Sequence, residues 1–233
     1  MKKSPNSAFT LLEMLTVLAI IVILAGIVIG VAGYAMKKGA RTRAAGEISM
    51  ISSACESYKS DNGSFPRDIP TTGTSVTDSI SPKSDFIPTA AKYAASSLFL
   101  YKELSGDKVN NSTAAATPDG IPDDGAQRYM KEFDPRILNA TKDSSTKVIL
   151  QVNYLQDPFG FPYAYSTAAA ATEQTFQRNL RLGQSVTRPT GAQLPGFTPG
   201  GFDIWSTGGS NVTSSPTTDA AKDLEWAKWI KNW

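Results

Sequence analysis

Histidine is missing from this chain of 233 residues, and cysteine occurs only once, at Cys55. Histidine is the commonest general base in enzymes and a common metal ligand, so its absence excludes the Ser-His-Asp and Cys-His arrangements of nucleophilic catalysis. A single cysteine excludes an internal disulfide and any zinc or redox site built on a Cys-x-x-Cys motif. We therefore expect the protein not to be an enzyme.

An excess of charge of either sign is also missing. The chain carries 23 basic and 21 acidic side chains, which gives a net charge of +2. Basic residues form a cluster only at positions 37–43, and no other block suggests a nucleic-acid surface, so we expect no nucleic-acid partner. Charged side chains are absent from Met14 to Met36. As a helix this apolar run would be roughly 34 Å long, enough to cross the hydrocarbon core of a bilayer.

An acid, Glu13, stands at the start of the apolar run. A carboxylate within a membrane segment is costly, and its presence there indicates a function. A secretory signal peptide fits poorly, because its apolar region is shorter and ends in a small-residue cleavage site, whereas this run ends at Lys37 and Lys38. A simple signal anchor is the other alternative. It explains the apolar run but leaves Glu13 without a role.

The string from Ala8 to Glu13, Ala-Phe-Thr-Leu-Leu-Glu, follows Lys2 and Lys3 and leads into the apolar run. It resembles the class III signal of type IV pilins and type II secretion pseudopilins. The resemblance implies that prepilin peptidase cuts between Ala8 and Phe9, and that Phe9 is then N-methylated. It also implies that Glu13 serves assembly and that the apolar helix is the polymerising stem. Ala8 departs from the family pattern, which usually has Gly before the cut.

The orientation in the membrane follows from the resemblance and not from charge. Both flanks of the apolar run are basic, and the positive-inside count would place the large domain in the cytoplasm. In the family the leader stays in the cytoplasm and the globular part is exported. We therefore expect a single-pass protein of the bacterial inner membrane, with its head in the periplasm.

The chain divides into four parts by pattern. We expect a leader at 1–8, a transmembrane and polymerisation helix at 9–36, an amphipathic half of the same helix at 37–62, and a globular head at 63–233. No proline interrupts the chain between Phe9 and Phe65. A single helix from near Phe9 to about Ser60 would be roughly 75 Å long.

The second half of this helix has an apolar seam at spacings of three and four residues, which is typical of an amphipathic helix. The seam consists of Ala44, Ile48, Ile51, Cys55 and Tyr58. Arg43 and Glu47 lie four apart, and we expect them to pair on the solvent face. Gly63 is expected to end the helix as a left-handed cap.

Gly26 and Gly30 form a small-xxx-small pair in the apolar half. In lipid such a pair lets helices approach closely, although glycine is also common in membrane helices generally. The resemblance places Gly30 where many relatives have a helix-weakening Pro, so we interpret it as a site of local melting during assembly.

The head is expected to complete an α+β fold, with a small antiparallel sheet laid on the long helix. Three segments resemble major pseudopilins of type II secretion: 58–66, 157–165 and 202–209. The insertions 67–147 and 172–201 are rich in loop-forming residues, and we expect little core from the first apart from a helix at 90–104. At the C-terminus a helical stripe is predicted from Trp226, Trp229, Ile230 and Trp233. We expect it to pack against the sheet, with contact to a membrane surface or a partner as the alternative.

Calcium is the one candidate cofactor, and two segments are candidates to bind it. Related pseudopilins bind Ca²⁺ after the third of these segments, and here Asp219 and Asp223 could supply the carboxylates or simply cap and solvate the last helix. The acidic stretch 119–125 is a second candidate, with a solvated acidic turn as the alternative reading. We expect no other cofactor.

The function implied by the resemblance is that of a structural subunit of a type II secretion pseudopilus, polymerising through its N-terminal helix to support protein export. The expected partners are further copies of itself, other pseudopilins, prepilin peptidase, and the assembly platform and ATPase of the secretion system. A type IV pilus pilin is one alternative. A membrane-anchored binding protein that never polymerises is another.

Overall fold

The computed structural model describes residues 10–110, 117–131 and 133–233. The elements, in chain order, are as follows: α1 (Leu11–Asn62), α2 (Ala91–Ser105), β1 (Leu138–Lys142), β2 (Ile149–Leu155), β3 (Ala164–Ser166), α3 (Ala168–Arg181), a 3-10 turn (Gly191–Gln193), β4 (Asp203–Ser206), α4 (Asp219–Trp226) and β5 (Ile230–Lys231). This is the expected α+β class. The chain divides into two compact units, residues 1–42 and 43–233. We call the second the head unit.

The long helix forms without a break and ends where the sequence predicts. It has 52 residues and stops at Asn62. Gly63 follows with φ of 76°, and its N–H donates to the carbonyl of Lys59 at 2.8 Å. Only glycine adopts this left-handed backbone without steric cost. The predicted cap is confirmed.

The apolar seam of α1 packs into the head unit. Ala44, Ile48, Ile51 and Cys55 are each less than 5% exposed, and Tyr58 packs half-buried beside them. The same core receives Leu100, Tyr101 and Leu104 from α2 and Val152 and Leu155 from β2. The predicted seam is therefore confirmed as the helix face on which the head is built.

Two antiparallel sheets complete the head unit. One pairs β1 with β2, and the other has the order β3-β4-β5. In the second sheet Tyr165 lies opposite Ile204, and Ala164 lies opposite Trp205. Tyr165 and Ile204 face the core that contains the seam, whereas Ala164 and Trp205 face a separate cluster. The sheet is thus buried on both faces, by the core on α1 on one side and by the second cluster on the other.

The second cluster draws on the long insertion at 67–147. Ile80 and Phe86, both at most 1% exposed, pack there with Tyr93 and Trp229. The expectation that this insertion contributes little core besides its helix is wrong. Its apolar residues are sparse and have no period, so no local pattern shows that they converge on the outer face of the sheet.

Trp229 is a core residue and the other two C-terminal tryptophans pack against the same cluster, but the three do not share one helix. Helix α4 ends at Trp226, and Ile230–Lys231 forms a strand instead. That strand pairs with the free edge of β4, which satisfies backbone groups that a continued helix would leave exposed at the edge. Trp229 is stacked on Trp205, with ring centroids 5.6 Å apart. The continuous helical stripe predicted from sequence is wrong.

Glu47 departs from its expected place on the solvent face of α1. The ion pair with Arg43 is present at 3.0 Å, but the Glu47 side chain is only 13% exposed. Its Oε2 accepts a hydrogen bond of 2.5 Å from the hydroxyl of Tyr163, which precedes β3. Burial and this carboxylate both raise the pKa of Tyr163. The contact ties the helix to the sheet across 116 residues of sequence.

Replacing Tyr163 with Phe should weaken the head unit, because the substitution removes one bond and leaves the Glu47 carboxylate poorly solvated. We expect the free energy of unfolding to fall by about 1 to 2 kcal/mol. All four tryptophans lie in the head unit, so urea unfolding of the full chain in mild detergent, followed by tryptophan fluorescence, measures it. Tyr154→Phe is the matched control, since within the described residues no hydrogen bond is found for the Tyr154 hydroxyl. Equal loss in both variants would contradict the argument.

The thiol of Cys55 should be inert in the folded protein. The side chain is fully buried, so a reagent in solution cannot reach the sulfur. Burial, aided by the charge of Glu56, also raises the pKa of the thiol, so little of it is in the reactive thiolate form. A polar maleimide should react about a hundredfold more slowly without denaturant than with it. The chain has no other cysteine, so intact mass reports this site directly. Rapid labelling under native conditions would show that the seam is misplaced.

Candidate assembly segment

The first turn of α1 is closed by a reciprocal pair of hydrogen bonds between Thr10 and Glu13. The backbone N–H of Thr10 donates to Glu13 Oε2 at 2.8 Å, and the Thr10 hydroxyl donates to the same oxygen at 2.9 Å. The backbone N–H of Glu13 in turn lies 3.3 Å from the Thr10 hydroxyl oxygen. This is a capping box, which satisfies backbone donors that a helix start leaves open.

Glu13 therefore has a local role that the sequence analysis missed. The signal was present, since Thr-x-x-Glu before an apolar run is the usual capping-box pattern. A cap of this kind does not need the negative charge, because Gln serves at the same position. Both bonds also use Oε2, so within the described residues Oε1 has no hydrogen-bond partner. The carboxylate can cap its own helix and still accept a further donor.

The apolar half of α1 has no packing partner within its own unit. Between Leu11 and Met36 the structure describes large apolar side chains that are all exposed. Their exposed fraction ranges from 49% for Val17 to 83% for Leu11. By length and composition α1 is long and apolar enough to cross a membrane, and it is the one such helix among the described residues. An apolar surface of this extent requires lipid or other helices as its surroundings.

Gly26 and Gly30 lie in unbroken α-helix. A Cβ atom built at either position meets nothing within 4 Å, so packing within the chain does not explain these glycines. They leave a shallow strip on one face of the apolar helix, as close approach of a second helix requires. Local melting at Gly30 stays a prediction. Ala8 and Phe9, the expected cleavage and methylation residues, lie outside the described residues.

The two carboxylates expected to bind calcium are exposed on α4. Asp219 pairs with Lys222 at 3.1 Å, and its side chain is 96% exposed. Asp223 lies one turn later, while the cap of α4 is supplied by Thr218, whose hydroxyl accepts from the N–H of Ala221. Within the described residues no group of three or more acidic, His or Cys side chains is arranged to hold a metal ion. Calcium at Asp219 and Asp223 stays a prediction.

The acidic stretch 119–125 is folded around a carboxylate that the sequence analysis did not single out. Asp107 is fully buried and accepts hydrogen bonds from the Tyr101 hydroxyl at 2.7 Å and from the N–H of Gly120 at 2.7 Å. Burial raises the pKa of Asp107. Asp119 is itself only 6% exposed, so the reading of a solvated acidic turn is wrong for this residue. The loop uses acid oxygens to fix its own backbone.

Comparison with known proteins adds one match. Residues 3–29 match the model of the prokaryotic N-terminal methylation motif. The match supports a type IV pilin-like class III signal, and with it processing by prepilin peptidase and a polymerising, structural type of subunit. The matched segment includes Ala8, Phe9, Glu13 and Gly26. No curated protein and no solved structure matches the chain.

The mature protein should begin at Phe9 with a methylated amine. The methylation motif spans the expected cut between Ala8 and Phe9, and Thr10, the second residue after that cut, opens a capped helix. Intact-mass analysis of protein extracted from the native membrane measures both changes. A peptidase-deficient strain is the control and should retain Met1 to Ala8. A mature form that keeps the leader in the presence of the peptidase would contradict the assignment.

Proposed function

We propose that the protein is a structural subunit of a type II secretion pseudopilus, which polymerises through its N-terminal helix. One observation carries the proposal. The methylation motif at 3–29 runs without a break into a helix of 52 residues, whose first half exposes its apolar side chains and whose second half builds the core of a globular head.

In this proposal the apolar half of α1 first lies in the bacterial inner membrane as a single span, with the head in the periplasm. Prepilin peptidase removes residues 1–8 and methylates Phe9. An assembly ATPase and its platform protein then drive extraction of the subunit into a helical filament. The exposed apolar surface suits both stages, because lipid tails and neighbouring stem helices are equally apolar surroundings.

Glu13 is assigned the role of guiding subunits into register. An ionised carboxylate is costly in lipid or in a dry filament core, and pairing with a cation offsets much of that cost. The family resemblance supplies the cation as the Phe9 amine of a neighbouring subunit. Oε1 of Glu13 is available for it while Oε2 keeps the cap with Thr10. A subunit in the wrong axial position would leave both charges buried and unpaired.

The choice of a pseudopilus over a pilus rests on the three head segments that resemble major pseudopilins. They lie together in the structure. The Tyr165 hydroxyl donates to the carbonyl of Pro66 at 2.7 Å, and the Ser206 hydroxyl donates to the buried carboxylate of Asp157. Rings of Phe65 and Phe202 meet edge to face at 4.8 Å. Segments that resemble one family thus form a single packed unit, which favours that family for the whole head.

Substitutions of Glu13 separate its charge from its cap. Glu13→Gln retains a capping side chain but has no charge, Glu13→Asp retains the charge on a shorter stem, and Glu13→Ala loses both. We expect all three to be cleaved and inserted. Filament yield should fall about tenfold or more for Gln and Ala, because a buried pair is broken, and only partly for Asp. Immunoblots of membrane and sheared-filament fractions measure this.

Glu56→Gln is the control, since Glu56 is an exposed acid on the head half of the same helix. Wild-type filament levels for Glu13→Gln, with loss for Glu13→Ala alone, would mean that only the cap matters and that charge pairing is wrong. If the wild-type protein yields no sheared filaments when all secretion components are present, the chain is instead a membrane-anchored protein that does not polymerise.

A further inference from the structure

The outer surface of α3 is basic and apolar at once. Arg178, Arg181 and Leu182 are all exposed, Leu182 by 68%. They line one groove of about 510 Å³ between the helix and the chain at Gly200. We call these three residues and the groove the α3 surface.

The two arginines of the α3 surface do not pair with the acid on their own helix. The nearest acid on the helix, Glu173, already accepts from Gln177 at 2.9 Å and pairs with Arg188 at 2.9 Å. Within the described ranges 10–110, 117–131 and 133–233, neither Arg178 nor Arg181 has an ion pair with a carboxylate. Their charges are therefore available to an outside partner.

The outer surface of α4 has the opposite character. Asp219, Ala220, Asp223 and Leu224 are exposed, Leu224 by 69%. The helix has no buried residue between Asp219 and Trp226. Asp219 shares its charge with Lys222, while Asp223 has no ion-pair partner in the described part of the chain. We call these four residues the α4 surface.

We propose that the α3 surface of one copy binds the α4 surface of the next copy in the filament. Each surface presents two like charges about one helical turn apart. These are Arg178 and Arg181 on the α3 surface and Asp219 and Asp223 on the α4 surface. Each arginine can therefore face one aspartate when the two helices lie side by side. Leu224 and Ala220 form an apolar strip beside the acids, which faces Leu182 and the groove. The partner is a second copy because one head carries both halves of the contact.

This inference rests on the proposed polymerisation. Exposed ion pairs contribute little individually and are screened by salt. The contact therefore acts only when stem packing already holds two heads side by side and raises their effective concentration. Its role is to select the rotation between neighbouring subunits, since like charges would face each other in other arrangements.

Charge reversal tests the pairing in the full chain. Arg178→Glu with Arg181→Glu, and separately Asp219→Lys with Asp223→Lys, should each lower the yield of sheared filaments about fivefold or more, because attractive pairs become repulsive. The fourfold variant, which restores opposite charges in exchanged positions, should return to within about twofold of wild type. Lys131→Glu with Lys142→Glu reverses two exposed charges outside both surfaces and should leave the yield unchanged.

Disulfide cross-linking measures the contact itself. The variant with both Leu182→Cys and Leu224→Cys should give a ladder of dimers, trimers and higher species on mild oxidation, whereas either single substitution should give only monomer. The native Cys55 is buried and does not interfere.

The results separate this inference from the proposed function. If filaments form but the ladder is absent, or the fourfold variant is not rescued, the α3–α4 contact is wrong and the arginines meet another anionic surface. If the single Leu182→Cys variant cross-links to itself, the interface is two-fold and the proposal is also wrong. If no filaments form in wild type, the proposed function fails first. The α3–α4 contact, which acts only when stem packing holds two heads side by side, then fails with it.

Discussion

A single strip of small and apolar side chains on α1, from Ala44 to Tyr58, is the constraint on which the head depends. The core made by α2, β2 and the second sheet closes on this strip, and removing it would leave both sheets without an inner layer. A two-stranded sheet is marginally stable at best by itself, and packing against a helix supplies the stability that it lacks. The helix is therefore the central structural element of the head as well as its link to the apolar segment.

The two halves of α1 have different surroundings: the second half packs against the head core, and the first half exposes its apolar side chains. In residues 43–62 most of the apolar side chains form a narrow seam and most other positions are polar, whereas from Leu11 to Met36 nearly all residues are apolar. The hydrogen bonds of an α-helix are internal, so the backbone is satisfied equally in water, lipid or a packed filament. Only the distribution of side chains changes along its length. A stem of this kind can therefore be surrounded by lipid or by neighbouring helices without losing the hydrogen bonds of its backbone.

Polar side chains join distant parts of the head at defined points. Glu47 on α1 binds Tyr163 ahead of β3, and Asp157 binds Ser206 on β4. Trp205 reaches back to α2 through its indole N–H, which donates to the Tyr93 hydroxyl at 3.2 Å. Each bond is inside or beside a core, where an unpaired polar group would be costly. Such bonds restrict the sheet to one position on the helix, while the apolar contacts supply most of the stabilisation.

The sequence by itself determined the features that depend on local pattern. These include the apolar run, the seam and cap of α1, helix α2 and the methylation motif around Phe9 and Glu13, because periodicity, capping residues and short motifs are readable without knowing distant contacts. Only the tertiary structure decided which isolated residues meet. Ile80 and Phe86 became core, Ile230 joined a strand instead of a helix, and Glu47 turned to Tyr163, because in each case the deciding partner lies far away in sequence. The exposure of the basic residues on α3 and of the acidic residues on α4 likewise follows from the tertiary structure and not from a local pattern.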